Sequence, residues 1–133
     1  MPSVAYNKFT PAVENLLEGI NAGSDSWAIK LCTAVNQAAG TITEVANGNG
    51  YTTGGVALTI SSATQSGGTY TLTFTTPASP TWTASGAGFS VQYVALVDTT
   101  QSVNVGYWDY GSSQAVAAGE TFTVVLTNAF TVT

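Results

Sequence analysis

From Trp27 onward, apolar side chains recur at every second position. Trp27, Ile29 and Leu31 alternate with Ala28, Lys30 and Cys32, and Val56, Leu58 and Ile60 alternate with Ala57, Thr59 and Ser61. Tyr70, Leu72 and Phe74 stand between Thr69, Thr71, Thr73 and Thr75. Phe122, Val124 and Leu126 follow the same rule with Thr121, Thr123 and Val125, and Phe130 with Val132 closes the chain. Successive side chains of a strand point to opposite faces, so each run predicts a half-buried strand. Phe89–Val97 begins in this way and becomes continuously apolar from Tyr93, as a strand covered on both faces would.

Gly- and Ser-rich clusters separate the runs: Asn47–Gly50, Gly54-Gly55, Ser66–Gly68, Gly86–Gly88 and Gly111–Ser113. Pro77 and Pro80 mark a bend or a sheet edge. With Pro80–Thr83 and Ser102–Tyr110 included, about eight or nine short strands are expected. The reading is all-β, an antiparallel β-sandwich of jelly-roll or related Greek-key type, in a single domain over residues 1–133.

The first residues break the alternation. Met1–Phe9 reads as an irregular arm carrying Val4, Tyr6 and Phe9. Thr10 suits an N-cap, Pro11 the first helical position, and Glu14 the positive end of a helix dipole. Val13, Leu16, Leu17 and Ile20 fall at helical spacing. One short N-terminal α-helix is therefore expected within residues 10–20, running from Pro11 to about Glu18. Gly19 and Asn21–Ser24 end it, and the sandwich is expected over residues 27–133.

Composition narrows the chemistry. The 133 residues include no His, and the two positive side chains, Lys8 and Lys30, face seven carboxylates for a net charge of −5. Nucleic acid, free phosphate and acidic lipid all require a basic footprint, so neither nucleic acid nor membrane is expected as a partner. A His-based catalytic triad or dyad lacks its general base. Zinc ligation of the His and Cys type and an intrachain disulfide are excluded, because Cys32 is the one thiol. Cys32 itself reads as a small buried hydrophobe. The hydrophobic share of 44% with 11% aromatics argues against disorder. No apolar run approaches the roughly 20 residues of a membrane span, and no basic-apolar leader opens the chain. A soluble single domain without a leader is expected.

The carboxylates do not select a pair for acid–base chemistry. Glu14 and Glu18 suit a solvated helix face, Glu44 precedes the Asn47–Gly50 turn, Asp109 lies between Trp108 and Tyr110, and Glu120 follows Gly119. A turn role for Asp109 is the simpler reading, and no enzyme activity, cofactor or metal is expected. Asn47, Asn49 and Asp98 are eligible calcium ligands, but they lack the repeated acidic spacing of a binding loop, and Asn-Gly is explained by turn geometry.

Aromatic residues offer more. Trp27, Trp82, Tyr107, Trp108 and Tyr110 could stack on sugars, fill a core or form an oligomer interface. Trp27 alternates with core positions. Trp108 and Tyr110 oppose Val103, Val105 and Tyr107 on their strand, so one set points outward or into a partner. Val4, Tyr6 and Phe9 either fold back onto their own sandwich or reach a neighbour. Val4, Tyr6, Phe9, Trp108 and Tyr110 are the candidate partner-interface residues. The outward strand positions carry Thr, Ser and Gln in place of the Lys that commonly discourages edge pairing. Such a surface fits either a domain that tolerates low charge or one covered by symmetry mates in an assembly.

Two stretches resemble a known family. One is Ile42-Thr43-Glu44-Val45 with Gly48-Asn49-Gly50-Tyr51-Thr52 and Gly54-Gly55. The other is Gly106-Tyr107-Trp108-Asp109-Tyr110-Gly111-Ser112-Ser113 with Ala118-Gly119-Glu120-Thr121-Phe122-Thr123-Val124. Together with Phe9 to Ile20, and in this order, they resemble small virion proteins of tailed bacteriophages, of the head decoration or cement type. The resemblance implies a minor capsid protein that forms a homodimer or homotrimer on the capsid exterior. Its partner would be the major capsid protein, with neighbouring subunits bridged non-covalently. Assembly in the host cytoplasm follows from the same resemblance. Another virion component, such as a head fibre, a tail protein or a receptor- or carbohydrate-binding module, remains the alternative. No long charged capsid-binding arm is present, and Met1–Phe9 is a short candidate for one.

Overall fold

A computed structural model of the chain describes residues 5–11, 21, 23–76, 79–125 and 130–132. Among them ten strands form: β1 (Tyr6–Lys8), β2 (Trp27–Asn36), β3 (Thr41–Glu44), β4 (Val56–Ser66), β5 (Thr69–Thr76), β6 (Thr81–Thr83), β7 (Phe89–Asp98), β8 (Val103–Val116), β9 (Thr121–Thr123) and β10 (Phe130–Val132). All strand pairings are antiparallel. The main sheet runs β1-β8-β7-β2-β4-β5-β10, with β3 also on β2, and β6 pairs β9 separately. Pairs such as β2–β7, β1–β8 and β6–β9 join strands far apart in sequence, so crossover connections are needed where a plain meander would have none.

The sheet curls around one core. Trp27, Ile29 and Leu31 of β2, Leu72 and Phe74 of β5, Trp82 of β6, Val91, Val94 and Leu96 of β7, Val105 and Tyr107 of β8 and Phe122 of β9 share a single buried cluster. These are the alternating positions of the sequence, and the expected all-β antiparallel fold is the observed one. β7 lies between β8 and β2, and Val94–Asp98 are buried without a break. On the other face of the sheet, Cys32, Ala95 and Val97 form a second, smaller cluster. Covering both faces explains why alternation stops at Tyr93.

β2 has different neighbours along its two edges. On one edge it pairs β7 from Trp27↔Asp98 to Cys32↔Tyr93. Along the other, Trp27–Ile29 pair β4 and Cys32–Asn36 pair β3. Residues 45–55 leave the sheet between these two pairings, after a last rung from the Val45 amide to the Leu31 carbonyl at 2.9 Å. Gly55 brings the chain back at φ 68°, where any Cβ would overlap the Ile29 carbonyl, so only glycine fits.

Two local expectations change. Tyr6–Lys8, read as an irregular arm, is an edge strand, because the exposed rim of β8 supplies hydrogen bonds that the arm's own sequence cannot announce. The strand expected over 122–126 is reduced to Thr121–Thr123 on β6, and residues 126–129 lie outside the described residues. The helix expected after Thr10 falls on residues 12–20, also outside them, although Thr10 and Pro11 themselves are helical.

Candidate functional site

The N-terminal arm is fastened to its own sandwich. Lys8 pairs Gly106, Asn7 pairs Tyr107 and Tyr6 pairs Trp108, and the Phe9 amide continues the ladder to the Val105 carbonyl at 3.0 Å. Gln37 locks the next step: its Nε2 donates to the Lys8 carbonyl at 2.9 Å, and its own carbonyl accepts from the Thr10 amide at 2.9 Å.

The five candidate interface residues separate under this geometry. Phe9 is wholly buried, with its ring 5.0 Å from that of Tyr107. It folds back as a core residue and is not an outward contact, because the β1–β8 pairing directs it under the sheet. Tyr110 is half-buried and sets its ring edge-on to Phe122 at 5.6 Å. It opens a bulge: Tyr93 pairs Asp109 and Val91 pairs Gln114, so residues 110–113 stand opposite Gln92 alone. Val4 lies outside the described residues.

Tyr6 and Trp108 remain at the rim, 5.2 Å apart between ring centroids. Tyr6 keeps 37% of its surface open, yet its phenol end lies over Gly106, where a Cβ would overlap the ring. Burial of that end pushes the phenol pKa up. Glycine at 106 is thus the space into which the tyrosine fits. β1 covers only Gly106–Trp108 of the long strand β8, so the aromatic pair sits at a short, partial edge.

The remaining candidates have structural tasks. Trp27, Trp82 and Tyr107 are buried and offer no sugar platform. Asp109 accepts the Gly111 amide at 2.8 Å and the Gln92 side chain at 3.3 Å, and Glu120 accepts the Ala117 amide at 2.7 Å. Asn47 and Asn49 accept the amides of Thr53 and Ala87. Glu14 and Glu18 lie outside the described residues, among which no three His, Cys, Asp or Glu side chains gather as metal ligands.

The outer half of β4 is exposed, although it pairs residues of β5 that are half-buried or, at Leu72, fully buried. Ser61–Ser66 are all exposed although strand side chains alternate between faces, so both faces of this half of β4 are open. It pairs β5 to the turn at Gly67-Gly68, and β10 flanks β5 through Thr131↔Thr71. The open segment, Ser-Ser-Ala-Thr-Gln-Ser, carries no charge. Threonine and serine in this sequence are legible as outward positions, but that both faces would be outward was not, because alternation alone does not say where a core ends.

No protein-family model matches the chain, and no curated protein or solved structure is significantly similar to it.

Proposed function

We propose that this chain is a structural protein of a tailed-phage virion, a cement or decoration protein that binds the outside of the head and bridges neighbouring major capsid subunits. The observation that carries this reading is the uncharged outer half of β4, whose side chains are exposed throughout from Ser61 to Ser66. Hydroxyl and amide side chains lose less on desolvation than ammonium or carboxylate groups, so such a strand can be covered by a neighbour at low cost. Unprotected strand edges favour the same outcome. The resemblance of the two sequence stretches to decoration proteins supplies the virion setting.

The mechanism is non-covalent clamping. Each copy adds a modest contact, and symmetric repetition over the shell multiplies weak contacts into resistance against the pressure of packaged DNA. A chain with two positive side chains and a net charge of −5 suits the outer surface better than the DNA-facing one.

The test is the mass of the purified protein in solution, followed by co-sedimentation with empty and DNA-filled heads. A discrete homo-oligomer bound in near-stoichiometric numbers is expected. A monomer that does not bind heads overturns the proposal and directs attention to tail structures and sugars.

A further inference from the structure

Two carboxyl groups are buried among the described residues: Asp25 is 8% exposed and Asp98 not at all. The β2–β7 pairing brings them together. Trp27 opposes Asp98 in register, so Asp25, two residues before Trp27, arrives where β7 turns into residues 99–102. The junction is tightly bonded. The Thr99 amide and hydroxyl donate to the Ser26 carbonyl at 2.8 and 3.0 Å, and the Ser26 amide donates to the Thr100 hydroxyl at 2.8 Å.

Two of the carboxyl oxygens have ordinary partners. Asp98 Oδ1 accepts the Gln101 amide at 3.0 Å, and Asp25 Oδ2 accepts the Asn21 amide at 3.0 Å. Asp98 Oδ2 is the exception. It is buried and meets no donor among the described residues, and its side chain stands within hydrogen-bonding reach of Asp25. Two ionised carboxylates can only accept, so their contact is repulsive and leaves Oδ2 orphaned. One added proton converts the same contact into an O–H···O bond. Among the described residues, Asp25 is the titratable group that faces Asp98, and Lys30 is engaged elsewhere, 3.9 Å from Glu44.

We propose that Asp25 and Asp98 share one proton and form an acid-set clasp between the segment entering β2 and the β7–β8 turn, closed with the proton bound and loosened when it leaves. The proton passes to solvent, and no other group need change. Burial first, and then the hydrogen bond to Asp25, pushes the Asp98 carboxyl up to about 6. The folded value lies above the unfolded one of about 4. The stabilisation is therefore full below about pH 4 and is lost as pH rises through about 6. This inference concerns the isolated chain and stands apart from the virion assignment.

The test is thermal unfolding of the full chain between about pH 5 and about pH 8, for the native sequence and for Asp98→Asn. The native Tm is expected to fall by roughly 4–7 °C over this range. An asparagine amide donates to Asp25 at every pH, so D98N should lose that slope and match or exceed the native Tm at the alkaline end. Asp25→Asn should do the same with the roles reversed. An unchanged slope in both variants overturns the clasp. So does a native Tm restored at alkaline pH by millimolar calcium, since a cation would then occupy the place assigned to the proton. Should neither variant fold, carboxyl-carbon NMR of the native chain decides: one aspartate of the pair titrating well above the ordinary range supports sharing, and two ordinary titrations refute it.

Discussion

The Tyr51 hydroxyl donates to Glu44 Oε2 at 2.5 Å and accepts the Leu31 amide at 3.2 Å. Leu31 lies at the gap where β3 has ended and β4 has not begun, so the phenol takes the place of a missing strand partner. Glu44 Oε2 also accepts the Gly54 amide at 2.6 Å, which ties both ends of the 45–55 excursion to one carboxylate. Tyr51→Phe keeps the ring but orphans a buried amide. A loss of about 1–3 kcal/mol is expected, read as a lower urea midpoint with an unchanged slope. A variant as stable as the native chain would show that the hydroxyl is dispensable to the excursion.

Phe9 and Tyr6, three residues apart, should respond in opposite ways. Phe9→Ala empties a fully buried site and should cost about 3–5 kcal/mol in chemical denaturation. Tyr6→Ala should cost much less stability yet weaken attachment to heads, if the rim is a contact. A truncation test of the arm must accordingly stop before Phe9, because removal of that residue damages the core and would mimic a lost interface.

Gly106→Ala places a methyl group where the Tyr6 ring lies. The ring is at an edge and can leave, so the sandwich should stay folded while β1 detaches from β8. The readout is Trp108: its emission should shift to the red as Tyr6 departs, and faster amide exchange at Asn7 and Lys8 should accompany it. Unaltered emission with a large loss of stability would mean that the strand moves with the ring.

Cys32 is fully buried, and burial, reinforced by the Glu44 charge and opposed by Lys30, pushes its thiol up to about 12. The folded protein should therefore resist thiol reagents at mildly alkaline pH. Labelling should proceed at the rate of unfolding and accelerate with urea. Rapid labelling under native conditions would show that β2 opens locally.

Much of the architecture is legible in the sequence. Trp27, Ile29, Leu31, Leu72 and Phe74 alternate, and all are buried. The apolar run Tyr93–Val97 announced a strand covered on both sides, and β7 is one. The turn roles of Asn49, at φ 54°, and of Asp109, which accepts the Gly111 amide, also followed from local chemistry. What the five candidate interface residues meet was not legible, since periodicity says that a side chain faces away from its neighbour, not what waits on the other side. Phe9 met Tyr107, from the far end of the chain, and Tyr110 met Phe122, from the next strand, and neither contact is written in the local alternation.

The sequence by itself determined which residues alternate, where turns fall, and which chemistries lack their side chains, because these depend on neighbours along the chain and on the inventory. Only the tertiary structure decided that Tyr6–Lys8 is a strand, that Tyr51 completes the edge of β2, and that Asp25 meets Asp98. Each of those rests on pairing between segments separated by 20 to 100 residues or so, and the hydrogen bonds and burial that reward such pairing exist only once the sheet has closed.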